Sequence, residues 1–154
     1  MLVEAVAAFA VCATGEHSNA ALDKWEAAGV PIVRECNRES LYIYDGKPPL
    51  TWPIHDWYIG ATMGREAYCW GEGWLATFVC AHELGHLFGL DHPRDNIFEC
   101  QGQYEAHDAA YNAYSGAGHP KVVNPTVMDN GGCPGASEGP YAEDVEAVLR
   151  KVEK

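Results

Sequence analysis

The feature that most constrains the fold is an almost uninterrupted apolar run that ends in a cluster of histidines, "GEGWLATFVCAHELGHLFGLDHP", over residues 71–93. A helix that is apolar nearly all round is buried at the centre of its domain. His82, Glu83 and His86 are the polar exceptions inside this predicted helix. Because buried polar groups need partners, the run indicates either satisfied core histidines or a site built into the core.

The spacing of these residues favours a metal site. His82 and His86 are four residues apart, so both imidazoles lie on one face of a helix and can reach the same ion. Zinc binds neutral histidine nitrogens, and a site with three protein ligands leaves a fourth position for water. Glu83 lies beside the ligand face and can reach that water, which predicts a general base.

His92 is six residues beyond His86, too far round to bind the same ion if the helix continued. Gly89 stands where a helix ends in a left-handed residue, a conformation that glycine adopts cheaply. Pro93 also disfavours continuation. We therefore expect His92 to arrive from outside the helix as the third ligand, with Asp91 as the competing ligand or a simple turn carboxylate.

These residues resemble a known family. "HELGHLFGLDH" is similar to the metzincin zinc-peptidase signature H-E-x-x-H-x-x-G-x-x-H, and its "GLDH" resembles the matrixin branch. "TVMDNGG", with Met128, is similar to the Met-turn of that family. "ALDKWEAAGVPIVRE" and "EDVEAVLRKV" look like the first helix and strand and the closing helix of a matrixin catalytic domain. The resemblance implies that Asp144 hydrogen-bonds the Met-turn.

The resemblance also implies a fold and an activity. The fold would be an α+β, zincin-like domain over residues 1–154, with a small mixed sheet packed on a central zinc-binding helix and a C-terminal helix. The activity would be zinc-dependent hydrolysis of peptide bonds, with the extended substrate paired to the strand at 56–64 and residues 129–140 walling the pocket. One catalytic zinc is implied. Calcium is left open as a second metal but has no support in the sequence, since His55 and Asp56 alone do not make the family's metal-binding loop.

Local patterns predict the remaining elements. A helix is expected over 18–29, capped by Ser18 or Asn19 and ended by Gly29. Strands are expected over 30–36, 40–46 and 56–64, where Gly60 and Gly64 mark a bulge or a close backbone approach. The first fifteen residues are expected to be a buried strand or helix. Further helices are expected over 104–114 and 141–154.

The charge balance limits the partners. The net charge is −12, from 22 acidic and 10 basic residues, and nucleic acids and anionic membranes attract clustered Lys and Arg instead. No apolar stretch reaches the roughly 18 residues of a membrane span. We therefore expect a monomer that acts on a protein or peptide substrate, without a nucleic-acid or membrane partner.

Six cysteines without a C-x-x-C pair allow one to three disulfides, and their pairing is left open. Cys80 could equally be a small buried hydrophobe. The even count and the family suggest an extracellular protein, although no signal peptide is visible and export by a segment outside this chain stays open.

Two other functions compete with a peptidase. A zinc-stabilised binding or structural module would not need Glu83, and would usually close the fourth ligand position. A disulfide-exchange enzyme would need a paired cysteine motif, which the sequence lacks.

Overall fold

The computed structural model describes residues 8–55, 58–94, 99–104 and 122–152. Within these residues, three α-helices accompany a mixed five-stranded sheet, so the predicted α+β class is confirmed. The helix expected over 104–114 falls outside the described residues beyond Tyr104, which lies in a short strand. No described helix has the length and apolar character that crossing a membrane would require.

The main sheet has the strand order β2-β1-β3-β5-β4, with β4 antiparallel to β5 and all other neighbours parallel. β6 and β7 form a separate antiparallel pair. A single turn of 3-10 helix at Ala136–Glu138 precedes the last helix. The elements are β1 (Phe9–Ala13), α1 (Glu16–Ala28), β2 (Ile32–Arg34), β3 (Leu41–Asp45), β4 (Gly60–Met63), β5 (Glu66–Cys69), α2 (Trp74–Leu87), β6 (Gln103–Tyr104), β7 (Val122–Val123) and α3 (Ala142–Val152).

The core lies between the sheet and the helices α1 and α2, which pack against each other and against the strands. Trp25 of α1 is fully buried, and its indole N–H donates a hydrogen bond of 2.8 Å to the carbonyl oxygen of Ala81 in α2. The strands contribute Val11, Ile43 and Ala67, none of which is exposed. Burial of these apolar side chains fixes α2 at the centre, as its composition predicted.

The predicted start of α1 is wrong. The helix begins at Glu16, and Ser18 lies within its first turn, where its hydroxyl oxygen accepts a hydrogen bond of 3.0 Å from the Gly15 N–H. The amides of His17 and Ser18 instead donate to the carboxylate of Asp45, at 2.8 and 2.9 Å. Asp45 stands at the end of β3, so a distant residue satisfies the free amides that a local cap was expected to bind. Gly29 ends the helix as predicted, with φ of 119°.

The region predicted as one strand over 56–64 contains β4, and it is followed by a strand, β5, that was not predicted. Gly64 has φ of 60° and, with Arg65, forms the two-residue turn between the paired residues Met63 and Glu66. Glycine is favoured in such turns because their twist requires positive φ. The turn places β5 inside the sheet and leaves β4 at its edge.

All six cysteines are paired, as Cys12–Cys36, Cys69–Cys80 and Cys100–Cys133. The three disulfides are the upper limit of the predicted range of one to three. Cys80 is a disulfide partner and not only a small buried hydrophobe. Three disulfides suggest an extracellular or otherwise oxidising environment.

Candidate metal centre

The three predicted metal ligands converge. His82 and His86 lie in the last turns of α2, and His92 follows the end of the helix. Nε2 of His92 is 3.2 Å from Nε2 of His82 and 3.2 Å from Nε2 of His86. The structure thus directs three ring nitrogens at one point, with all three within 4.8 Å of one another.

The turn after α2 brings His92 to the other two predicted ligands. Gly89 has φ of 100°, and its N–H donates to the carbonyl oxygen of His86 at 3.0 Å. The Leu90 N–H donates to the carbonyl oxygen of Gly85 at 2.9 Å, and this pair of bonds is the Schellman motif that ends helices. The carbonyl oxygen of Leu90 lies 2.8 Å from Nδ1 of His86. Because a carbonyl oxygen can only accept, Nδ1 carries the proton and Nε2 keeps its lone pair for a metal.

His82 is oriented in the same way by the segment around Met128. Its Nδ1 lies 2.9 Å from the carbonyl oxygen of Val127, which again leaves Nε2 free to bind. Met128 is buried against the helix, and a Cβ atom added to Gly85 would collide with its Sδ. Gly85 therefore permits the close contact between α2 and this turn, and a glycine inside a helical pattern is a sequence signal for such packing.

Asp144, at the start of α3, holds this turn in place. The carboxylate is buried and accepts hydrogen bonds from the Thr126 hydroxyl at 2.5 Å, the Val127 N–H at 3.1 Å and the Tyr141 N–H at 2.9 Å. Since Val127 in turn orients His82, the carboxylate supports the site through one intermediate residue.

The donor set fits zinc. Zinc–nitrogen bonds of about 2.0–2.1 Å at tetrahedral angles separate two ligand nitrogens by about 3.3 Å, close to the 3.2 Å from Nε2 of His92 to Nε2 of His82 and to Nε2 of His86. Zinc also requires neutral imidazoles. Burial lowers the pKa of all three histidines, to about 3 for His82, where repulsion from His86 adds to the effect.

Asp91, the competing ligand, is exposed and does not belong to the histidine cluster. A second group of potential ligands joins Asp45 to Cys69 and Cys80, but these two cysteines form a disulfide and offer no thiolate. In the described part of the chain, these are the two groups of three or more potential ligand residues. Of the residues considered for calcium, Asp56 lies outside the described residues.

Glu83 is only 6% exposed, and the Thr62 hydroxyl donates a hydrogen bond of 2.5 Å to its Oε2. Burial raises the pKa of Glu83 to about 7, and the bond from Thr62 opposes this rise. A carboxyl group with such a pKa can exchange protons near neutral pH.

Gly60 makes room for this carboxyl group. A Cβ atom at Gly60 would lie 2.8 Å from Cγ1 of Val79 and 2.9 Å from Cγ of Glu83. The pairing of β4 with β5 is continuous at this position. Of the two predicted alternatives, Gly60 therefore marks a close backbone approach and not a bulge.

The histidines and Glu83 open into a cavity of about 840 Å³ that also runs along β4. The side chains of Trp52, Ile54, Ile59 and Met63 give it an apolar border. From the predicted wall over 129–140, Asp129, Asn130 and Gly131 line the cavity. The site is thus an open groove beside an edge strand.

Asp129 and Thr62 lie in segments that were predicted to border the candidate site, but sequence reasoning missed the hydrogen bonds that each of them makes there. Asp129 is 1% exposed and accepts hydrogen bonds of 2.9 Å from the amides of both Gln101 and Gly102. The disulfide Cys100–Cys133 joins the same two segments. Both residues act through partners more than 20 positions away in the chain, so no local pattern reveals these bonds.

Searches against protein-family models, curated proteins and solved structures find no match for this chain.

Proposed function

We propose that the chain is a zinc-dependent endopeptidase of the metzincin type. The observation that carries this proposal is the convergence of three histidine Nε2 atoms beside a separate, buried carboxylate in one open groove. Three protein ligands suit a catalytic zinc site, whereas structural zinc sites usually have four. Glu83 adds the proton acceptor that hydrolysis needs.

His82, His86 and His92 would hold the metal through their Nε2 atoms. Zinc, when bound, supplies polarisation of the scissile carbonyl group and activation of water near neutral pH. The carbonyl groups of Val127 and Leu90 fix the rings of His82 and His86 in the orientation that binding requires. Pre-set ligands of this kind lose little entropy when the metal binds.

Glu83 would perform the proton transfers. Its carboxylate would accept a proton from the attacking water and deliver it to the nitrogen of the leaving amine, so that one water is consumed for each peptide bond cleaved. The raised pKa, about 7 because of burial, suits both steps near neutral pH.

The groove favours an extended polypeptide as substrate. β4 is the last strand in the sheet order, so one side of its main chain can pair with an added strand. Main-chain pairing is independent of side chains and would accept many sequences. With three disulfides in the chain, we propose that this hydrolysis takes place outside the cell.

Metal content and cleavage of an unfolded protein test the proposal together. The wild type should bind one zinc ion and cleave casein in a reaction that a hydroxamate chelator blocks. Glu83→Gln should keep the zinc but lose at least about 10²–10⁴-fold in kcat, while Glu72→Gln, at an exposed position, serves as the matched control. Stoichiometric zinc without any cleavage would indicate a non-catalytic zinc module instead.

A further inference from the structure

The edge strand β4 presents two different sides to its surroundings. Gly60 and Thr62 face α2, because Gly60 approaches Glu83 and the Thr62 hydroxyl bonds to it. Successive residues of a strand point to opposite faces, and Met63 is accordingly 48% exposed. The side chain of Thr62 is therefore directed at the proposed base.

The main-chain N–H and C=O groups of Thr62 point away from β5. The Trp70 N–H donates to the carbonyl oxygen of Ile59 at 2.9 Å, and hydrogen-bonded pairs alternate along an antiparallel ladder. In this register the pair Ala61 and Tyr68 makes the next bonds, and Thr62, opposite Ala67, makes none to β5. Its N–H and C=O groups therefore point to the edge of the sheet, where no other described strand pairs with β4.

The hydroxyl of Thr62 restricts only one of the two carboxylate oxygens of Glu83, and it also lies 3.4 Å from the main-chain carbonyl oxygen of the same residue. It donates to Oε2 at 2.5 Å, and Oε1 accepts no hydrogen bond from the described residues. A fixed Oε2 limits rotation of the carboxyl group, while Oε1 stays available for proton transfer. Precise placement of a base matters, because small displacements of reacting groups are costly for rate.

We propose that Thr62 is a positioning residue that joins substrate docking to orientation of the base. Its main-chain groups pair with the substrate strand at this edge of the sheet, and its hydroxyl holds Glu83 in the orientation for proton transfer. This inference rests on the proposed peptidase function. On this proposal, removal of the Thr62 hydroxyl lowers the turnover number kcat. Substrate binding depends on the main chain of Thr62, so substitutions of the side chain leave it unchanged.

Kinetics of Thr62→Val and Thr62→Ser separate the two effects. Valine keeps the β-branched shape without the donor, so kcat should fall about 10-fold or more, as expected for loss of one hydrogen bond to a charged group. KM should stay within about twofold, and serine should restore most of kcat. Thr77→Val is the matched control, because the Thr77 hydroxyl lies near His17 and not near Glu83. Zinc content and melting temperature of each variant verify the fold.

Crystal structures of the metal-free variants give a readout independent of activity. Glu83 should adopt one rotamer in the wild type and in Thr62→Ser, and more than one in Thr62→Val. If the wild type cleaves protein, Glu83→Gln does not, and Thr62→Val matches the wild type in kcat, the inference about Thr62 is overturned and the peptidase stands. If the wild type cleaves nothing, both proposals fall.

Discussion

Burying the ionisable carboxyl group of Glu83 should reduce the stability of this fold, and Glu83→Gln should recover that loss in the metal-free protein. Glu83 is 6% exposed, and burial raises its pKa from 4.5 to about 7. A change of one unit in pKa corresponds to about 1.36 kcal/mol. The folded state with a charged Glu83 is therefore about 3 kcal/mol less stable than it would be if the pKa of Glu83 were not raised. Glutamine has a similar shape and carries no charge.

The effect depends on pH in a defined direction. Well below pH 4.5 the carboxyl group is protonated in both the folded and the unfolded chain, so it contributes no difference. Between pH 4.5 and 7 the unfolded chain loses the proton first, so the wild type loses stability as the pH rises. Glu83→Gln should therefore match the wild type near pH 4.5 and be about 3 kcal/mol more stable at pH 8.

Urea unfolding in the presence of EDTA, with the disulfides intact, measures the difference at both pH values. The histidine cluster titrates in both proteins, so its contribution cancels when they are compared at the same pH. Glu72→Gln changes an exposed carboxyl group and should stay within about 0.5 kcal/mol of the wild type. If the free energy of unfolding of Glu83→Gln did not rise relative to that of the wild type between pH 4.5 and 8, burial of Glu83 would not be destabilising.

Two further substitutions test the surroundings of the site. Gly60→Ala should reduce kcat at least about tenfold while zinc stays bound, because its Cβ atom would displace Val79 or Glu83; casein cleavage and metal analysis measure both quantities. Asp144→Ala should lower the free energy of unfolding by about 2–4 kcal/mol, since it leaves the buried Val127 N–H, the partly buried Tyr141 N–H and the Thr126 hydroxyl without their acceptor; an unchanged urea midpoint would contradict it.

The parts of the site that could be predicted from sequence are those set by local geometry. His82 and His86 share a helix face because of their spacing, and Gly89 ends the helix because of its conformational freedom. Both features follow from fewer than ten consecutive residues, and the structure shows both. The central position of α2 followed in the same way from its composition.

The parts that could not be predicted depend on contacts between distant segments. Asp45 caps α1 from 27 positions away. The sequence around Ser18 contains nothing that indicates this distant cap, so Ser18 was predicted to cap the helix. β5 has four residues and acquires its stability from pairing with β3 and β4, not from its own propensity. The pairing of six cysteines is likewise decided by the fold, since 15 combinations are open in the sequence.

The same long-range contacts also tie the segment that carries the buried Glu83 to the sheet. Cys69–Cys80 joins β5 to α2, three residues before Glu83, across a separation of 11 residues. Closing a loop of this size in the unfolded chain stabilises the folded state by about 3 kcal/mol, similar to the amount that burial of Glu83 removes. β5 also pairs with β4, the strand that carries Thr62. The disulfide thus contributes a stabilisation similar in size to the cost of burying Glu83, and it links the helix that carries the carboxylate to the hairpin that carries Thr62.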